Sequence, residues 1–183
     1  MRHIAAGLAL MLLTLASAVA GEAQQGPRTT SFAVKGILLM PGDAYVAEAD
    51  AYFEIEMSFG IGAEIDAKLG EKFWGGLYAD LLNVTAYDES EMMLDAGIAL
   101  KAAFGGEHGR PLWRPGFGLG YGTLSGGASL DATHYLTIRA GVEAVMPTGW
   151  LVEANLYAAP TGGNDAVTVT YGPLIQFRVG HVF

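Results

Sequence analysis

The sequence predicts an all-β fold: an eight-stranded antiparallel up-and-down transmembrane β-barrel. Three observations carry this reading. First, apolar residues recur at every second position. Phe53, Ile55, Met57, Phe59, Ile61, Ala63 and Ile65 alternate with Glu54, Glu56, Ser58, Gly60, Gly62 and Glu64, and a period of two sorts a strand into two faces. Second, the pattern returns eight times between turn-forming stretches such as Pro147-Thr148-Gly149 and Thr161-Gly162-Gly163-Asn164-Asp165. An even number of strands in meander order closes into a barrel. Third, charged residues share the polar face, while Tyr52, Phe73, Trp113, Trp150 and Phe183 lie near strand ends. Amphipathic rings at that position suit the interface of a bilayer.

The N-terminal segment reads as an address. Arg2 and His3 precede an apolar run over residues 4–15, and Ala18-Val19-Ala20 offers small residues where a signal peptidase cuts. Residues 1–20 are therefore expected to be a cleavable signal peptide. The run is short for a membrane anchor, which needs roughly 20 apolar residues. Residues 21–29, small and polar, are expected to be a flexible lead, and residues 30–183 the barrel domain.

The strands follow in order. The first, residues 31–40, sets Phe32, Val34, Leu38 and Met40 against Lys35. The second, residues 51–67, is the alternating run given above. The third, residues 72–83, opposes Phe73, Leu77, Ala79 and Leu81 to Tyr78 and Asp80. In the fourth, residues 91–104, Met92, Leu94, Ala96, Ile98, Leu100 and Ala102 face away from Asp95 and Lys101. The fifth, residues 112–124, carries Phe117, Leu119 and Tyr121 on one face and Gly116, Gly118, Gly120 and Gly122 on the other. These glycines read as lumen positions that leave room for Tyr78 or Arg139. The sixth, residues 134–146, sets Leu136, Ile138, Ala140, Val142 and Ala144 against Arg139 and Glu143. The seventh, residues 150–159, sets Trp150, Val152, Ala154 and Leu156 against Glu153 and Asn155. The eighth, residues 167–183, places Val169, Tyr171, Ile175, Phe177, Val179 and Phe183 opposite Thr168, Thr170, Gln176 and Arg178. Pro173 removes a ladder donor mid-strand and points to a bulge.

Composition narrows the function classes. Among 183 residues there are 10 Lys+Arg, 19 Asp+Glu and no Cys. A net charge of -9 argues against nucleic acid as a partner, since phosphate binding needs clustered cations. The absence of Cys excludes disulfides, thiolate metal sites and a thiol nucleophile. No cofactor motif is present. The alternative to a membrane barrel is a soluble lipocalin-like ligand-binding barrel with its apolar face inward. That arrangement would crowd Phe, Trp, Tyr, Met and Leu from eight strands into one lumen.

The final residues, Gln176-Phe177-Arg178-Val179-Gly180-His181-Val182-Phe183, resemble the C-terminal signal of bacterial outer-membrane barrels. There an alternating strand ending in Phe is read by the barrel assembly machinery. The stretch Pro115-Gly116-Phe117-Gly118-Leu119-Gly120-Tyr121-Gly122, and the pattern of the whole barrel domain, resemble the small outer-membrane barrels of the OmpA, OmpX and OmpW kind. His181 departs from the usual aromatic at its position. The resemblance implies a Gram-negative cell envelope, both termini in the periplasm, and an outer-membrane lipid and lipopolysaccharide environment. It places outer loops at residues 41–50, 84–90, 125–133 and 160–166, and periplasmic turns at 69–71, 105–111 and 147–149. The outer loops hold Asp43, Glu48, Asp50, Asp88, Glu89, Asp131 and Asp165, without Lys or Arg. Beside lipopolysaccharide such a rim calls for bridging divalent cations; the plainer reading is a solvated acidic loop.

An eight-stranded lumen is only wide enough for side chains to fill. The charges on the polar face, Lys35, Glu54, Glu56, Asp80, Asp95, Lys101, Arg139, Glu143, Glu153 and Arg178, are therefore expected to pair in a lumen ion-pair network. Isolated charges there are costly. The network reads either as a structural polar core or as the lining of a narrow, porin-like pore. Phe177, Val179, His181 and Phe183 form the expected assembly signal. An enzymatic reading, a lipid A deacylase or acyltransferase on the same fold, needs a nucleophile, a base and an orienting group. Ser125, Ser129, Asp131 and His134 are the one candidate constellation, without the His-Ser motif of the deacylases. No two histidines lie at ligand spacing, so no metal site is expected. The sequence reads as non-enzymatic.

Overall fold

Strands with one apolar and one polar face can satisfy every backbone donor and acceptor in an apolar medium only if the two edges of their sheet meet. Here they do. The computed structural model describes residues 29–86, 89–125, 132–164 and 168–183. The strands are β1 (Thr30–Leu39), β2 (Gly42–Val46), β3 (Ala51–Ile55), β4 (Ser58–Lys68), β5 (Phe73–Ala86), β6 (Glu89–Ala102), β7 (Phe104–Gly105), β8 (Leu112–Ser125), β9 (Thr133–Val145), β10 (Trp150–Gly163) and β11 (Thr168–Val182). Eight of them form the wall in the order β1, β4, β5, β6, β8, β9, β10, β11, each antiparallel to the next. The wall closes where β11 returns to β1, from Ala33 opposite Val182 to Leu39 opposite Gln176. The expected eight-stranded antiparallel barrel is the observed fold.

The end holding Thr30 and Phe183 is called proximal here, the other distal. At the proximal end the turns are tight, closed by the Leu69 N–H on the Phe73 carbonyl at 2.8 Å and the Met146 N–H on the Trp150 carbonyl at 2.7 Å, and the strand ends stay paired. The Phe183 N–H donates to the Phe32 carbonyl at 2.8 Å and the Lys68 N–H to the Thr29 carbonyl at 2.7 Å. Between β7 and β8 a short 3₁₀ turn spans Glu107–Gly109.

Register sets outward side chains in rows around the wall. Ile65, Leu77, Ile98, Leu119 and Ile138 lie side by side on five successive strands. Ile61 is 65% exposed and Leu77 63%. Trp113, Trp150, Phe73, Phe104 and Phe183 are exposed toward the proximal end, Tyr52 and Tyr121 toward the distal end. A continuous apolar exterior edged by aromatic rings on this scale is what hydrocarbon requires and what water penalises.

The distal end differs from expectation. Residues 41–50 are not a loop throughout. β2 and β3 form a hairpin, Gly42 opposite Ile55 to Val46 opposite Ala51, that extends the wall beyond β1 and β4. β2 pairs with β11 and β3 touches β5 through Ile55 and Ala86. The expected continuous strand 51–67 is interrupted at Glu56 and Met57. Ser58 repairs the gap. Its hydroxyl donates to the Glu56 carbonyl at 3.0 Å and accepts the Thr85 N–H at 3.3 Å, while the Glu56 N–H reaches the Thr85 carbonyl at 2.9 Å. β5, β6 and β10 also run further distally than expected, to Ala86, from Glu89 and to Gly163. A bulge falls where Pro173 was expected to place one: Tyr157 pairs with Leu174, but Ala159 pairs with Tyr171. One extra residue on β11 turns Val169 and Tyr171 inward, where they pack on the apolar cluster of the lumen. Their expected place on the outward face is thereby corrected.

The signal peptide and most of the lead fall outside the described residues, as do Asp88, Ser129, Asp131 and Asp165.

Candidate functional site

Side chains that alternate inward fill the lumen in three layers. The proximal layer is small and apolar: Ala33, Leu151 and Val182, with Val145 against them. The distal layer is larger. Ile37, Leu39, Ile55, Leu82, Val84, Met93, Leu124, Tyr157 and Leu174 are buried together with Tyr135, whose hydroxyl accepts a 2.9 Å hydrogen bond from Tyr171. Between the two lie five buried cations, Lys35, Lys101, Arg114, Arg139 and Arg178, and six buried carboxylates, Glu64, Asp66, Asp80, Asp95, Glu143 and Glu153.

Lys35 on β1 is the centre of the charged layer. Its ammonium donates to Glu64 on β4 at 2.5 Å, Glu143 on β9 at 2.9 Å and Glu153 on β10 at 2.7 Å. The oxygens of these three carboxylates lie within 4.8 Å of one another. That is a spacing suited to a metal ion, but the Lys35 nitrogen sits among them in the place a cation would take. Lys101 on β6 extends the network to Glu64 at 2.7 Å and Asp66 at 3.1 Å. Arg114 on β8 bridges Asp66 at 3.0 Å and Glu143. Arg139 on β9 lies 3.5 Å from Glu64 and 3.6 Å from Asp80, with its guanidinium 3.5 Å from the centre of the Tyr78 ring. Arg178 on β11 pairs with Asp80, and its Nε donates to Gln176 at 2.9 Å. The five cations and five of the carboxylates thus form one connected network, drawn from β1, β4, β5, β6, β8, β9, β10 and β11. Asp95 stands apart from it and accepts a 2.8 Å hydrogen bond from Thr137.

Of the residues singled out from the sequence, Lys35, Asp80, Asp95, Lys101, Arg139, Glu143, Glu153 and Arg178 are buried in this layer. Glu54 and Glu56 are not. Both are exposed at the distal hairpin. The cause is the break after β3: Ile55 points inward and so does Ser58, three positions on, so the alternation changes parity between them. Glu64, Asp66 and Arg114 were missed, although Glu64 and Asp66 share the parity of Gly62, and Arg114 that of Gly116 and Gly118. The inward glycines do leave room. A Cβ at Gly118 would meet the Arg139 Nε at 2.7 Å, and one at Gly120 would meet the Tyr78 hydroxyl.

Phe177, Val179 and Phe183 point outward and are exposed, while His181 is half-buried between Trp150 and Phe183, with ring centroids at 5.6 and 4.8 Å. His134 is exposed on the exterior and stacks on Tyr121 at 5.6 Å. Its expected partners Ser129 and Asp131 lie outside the described residues, and so does the Ser125 side chain.

The cavity left in the charged layer is about 10 Å³, bordered by Lys101, Arg114, Arg139, Glu143, Glu153 and Asn155. That is room for one water molecule. Side chains paired and packed in this way can hold a barrel rigid.

The barrel is similar to several solved structures. OprG, an outer membrane protein of Pseudomonas aeruginosa, superposes with a TM-score of 0.52 at 15% identity, over 86% of this chain and 98% of that one. The fold is that of the small outer-membrane barrels. Neisserial surface protein A gives 0.51 at 11% identity, over 87% of this chain and 100% of that one. Ail, the attachment invasion locus protein of Yersinia pestis, gives 0.50 at 14%, over 84% and 97%. No protein-family profile matches the chain, and no curated protein matches it in sequence. At these identities the likeness is one of fold.

Proposed function

We propose that the chain is an integral outer-membrane β-barrel with a structural, envelope-stabilising role, non-enzymatic and closed to solutes. The observation that carries this is the filled lumen: a connected network of buried charges with an apolar cluster on either side of it, leaving a space of about 10 Å³. A narrow pore needs a continuous wetted path, and here the distal layer of Leu82, Met93, Tyr157 and Leu174 would have to part first. The exterior supports the membrane reading, because its rows of Ile, Leu and Phe suit lipid. In this reading residues 1–20 export the chain and are removed, and the segment ending in Phe177, Val179, His181 and Phe183 is recognised by the barrel assembly machinery. The acidic distal hairpin meets lipopolysaccharide through divalent cations.

The test is conductance. The barrel is folded in detergent, its closure checked by a boiling-dependent shift on a gel, and the shifted form added to a planar bilayer. Closed barrels give insertion without unitary current steps. Discrete steps whose frequency rises with the shifted form would overturn the closed reading and favour the pore.

A further inference from the structure

The apolar exterior is not uniform. On the strands β4, β5, β6 and β8 an open depression of about 600 Å³ is cut into it near the proximal end. Its origin lies in the register. One outward row reads Ile65, Leu77, Ile98, Leu119; the next toward the proximal end reads Ala67, Gly75, Leu100, Phe117. Ala67 and Gly75 are adjacent and nearly without side chains, so the wall is thin there between bulky neighbours. Leu69, from the turn after β4, folds back over Gly75: a Cβ at Gly75 would meet its Cδ1 at 2.8 Å. The depression is almost purely apolar, and its proximal rim is the turn that carries Lys68, Glu71 and Lys72, all exposed. At the distal hairpin the exposed charges Asp43, Glu48, Asp50, Glu54 and Glu56 are uniformly acidic. Anionic headgroups are therefore attracted to the proximal rim and repelled from the distal one.

We propose that this depression is a binding site for one phospholipid with an anionic headgroup: an acyl chain lies over Ala67 and Gly75, and the phosphate is met by Lys68 and Lys72. The proposal rests on the reading of the chain as a membrane barrel. A lipid in the leaflet at the proximal end has its headgroup at the level of the 68–72 turn and its chains pointing distally, along β4 and β5. The groove and the charge lie in that order.

The experiment is native mass spectrometry of the whole folded barrel released from detergent, with dioleoylphosphatidylglycerol or dioleoylphosphatidylcholine added. Wild-type barrel retains the glycerol lipid over the choline lipid by about fivefold, the size expected for roughly one net charge near a lipid surface. Gly75→Leu fills the groove, displacing only the flexible Leu69 side chain, and loses the bound lipid of either kind. The double variant Lys68→Gln, Lys72→Gln keeps a bound lipid and loses the preference. Ala154→Leu, outward on β10, leaves both unchanged. Equal retention of the two lipids by wild type, or wild-type retention by Gly75→Leu, overturns the proposal. A boiling-dependent gel shift of each sample separates this from failure of the membrane reading. A shifted barrel without lipid preference fails the site alone, whereas a protein that stays soluble without detergent and shows no shift fails both.

Discussion

Lys35 is held by three carboxylates, and its nitrogen stands where their oxygens would otherwise face one another across less than 5 Å. Removing the partner of a buried charge leaves that charge desolvated and uncompensated, which is more costly than the pair was stabilising. Lys35→Met is therefore expected to destabilise the folded barrel by about 3–5 kcal/mol in reversible urea titration in detergent, whereas Lys72→Met, on an exposed turn, changes it by less than about 0.5 kcal/mol. A loss below about 1 kcal/mol for Lys35→Met would show that the network tolerates its own centre being removed. Glycines set a second limit at this scale. A Cβ at Gly97 would run into the backbone of β8, at the Leu119 carbonyl and 2.6 Å from the Gly120 Cα, whereas one at Gly122 finds its nearest atom, a Thr137 methyl, at 3.3 Å. Gly97→Ala should cost about 1–3 kcal/mol in the same titration and Gly122→Ala distinctly less. Equal costs would mean that strand spacing, not side-chain room, governs these positions.

The β2–β3 hairpin shows how an element is held beyond the wall. The Ala47 N–H donates to the Thr168 carbonyl at 3.0 Å, and the Thr168 N–H donates to the Glu48 carboxylate at 2.7 Å. Within the hairpin the Tyr45 hydroxyl donates to Asp50 at 2.9 Å. The hydrogen bond from Thr168 holds the Glu48 carboxyl below its ordinary value of 4.5, because an N–H donor favours the charged form. A lowered carboxylate pKa in the folded state contributes stability above the ordinary value, and that contribution is lost as pH falls through the lowered one. Amide exchange at Thr168 should accordingly accelerate, relative to the β10 and β11 amides in mid-wall, as pH falls below about 4.5, after correction for the intrinsic rate. Glu48→Gln should show the faster exchange at neutral pH. Unchanged protection in the variant would mean that the backbone ladder alone docks the hairpin. Sequence reading missed this element for a physical reason. Glu54 and Glu56 continue an unbroken alternation on paper, but Ser58 supplies side-chain hydrogen bonds that let two residues drop out of the ladder and the parity change. Pro173, by contrast, did announce its bulge, since a residue without an N–H must interrupt a ladder, yet the consequence for Tyr171 and Val169 was carried to the wrong face.

For the molecule as a whole, the fold was legible because period-two alternation states both which side chains share a face and how many strands there are. Most of the charged layer was legible for the same reason, with Lys35, Asp80, Lys101, Arg139, Glu143, Glu153 and Arg178 all on the inward parity. What alternation does not state is depth. The expected ion-pair network left Leu82, Val84, Leu174 and Tyr157 without a place, and they form a separate apolar layer distal to the charges. Which inward residues share a level depends on strand stagger, and stagger appears only when the ladders are paired. The outward apolar face makes a definite prediction about the medium, and the absence of Cys makes it directly measurable. Single cysteines placed in turn at Val152, Glu153, Ala154, Asn155 and Leu156 on β10 can each be tested in the barrel reconstituted in lipid, by spin labelling at the outward positions and by reaction with a small water-soluble maleimide at the inward ones. A membrane barrel with a filled lumen predicts that labels at 152, 154 and 156 collide with lipid-dissolved oxygen, and that cysteines at 153 and 155 stay unreacted until the barrel is unfolded. Reaction at 153 and 155 in the folded barrel would contradict the closed lumen, and oxygen-shielded labels at 152, 154 and 156 would contradict the outward apolar face.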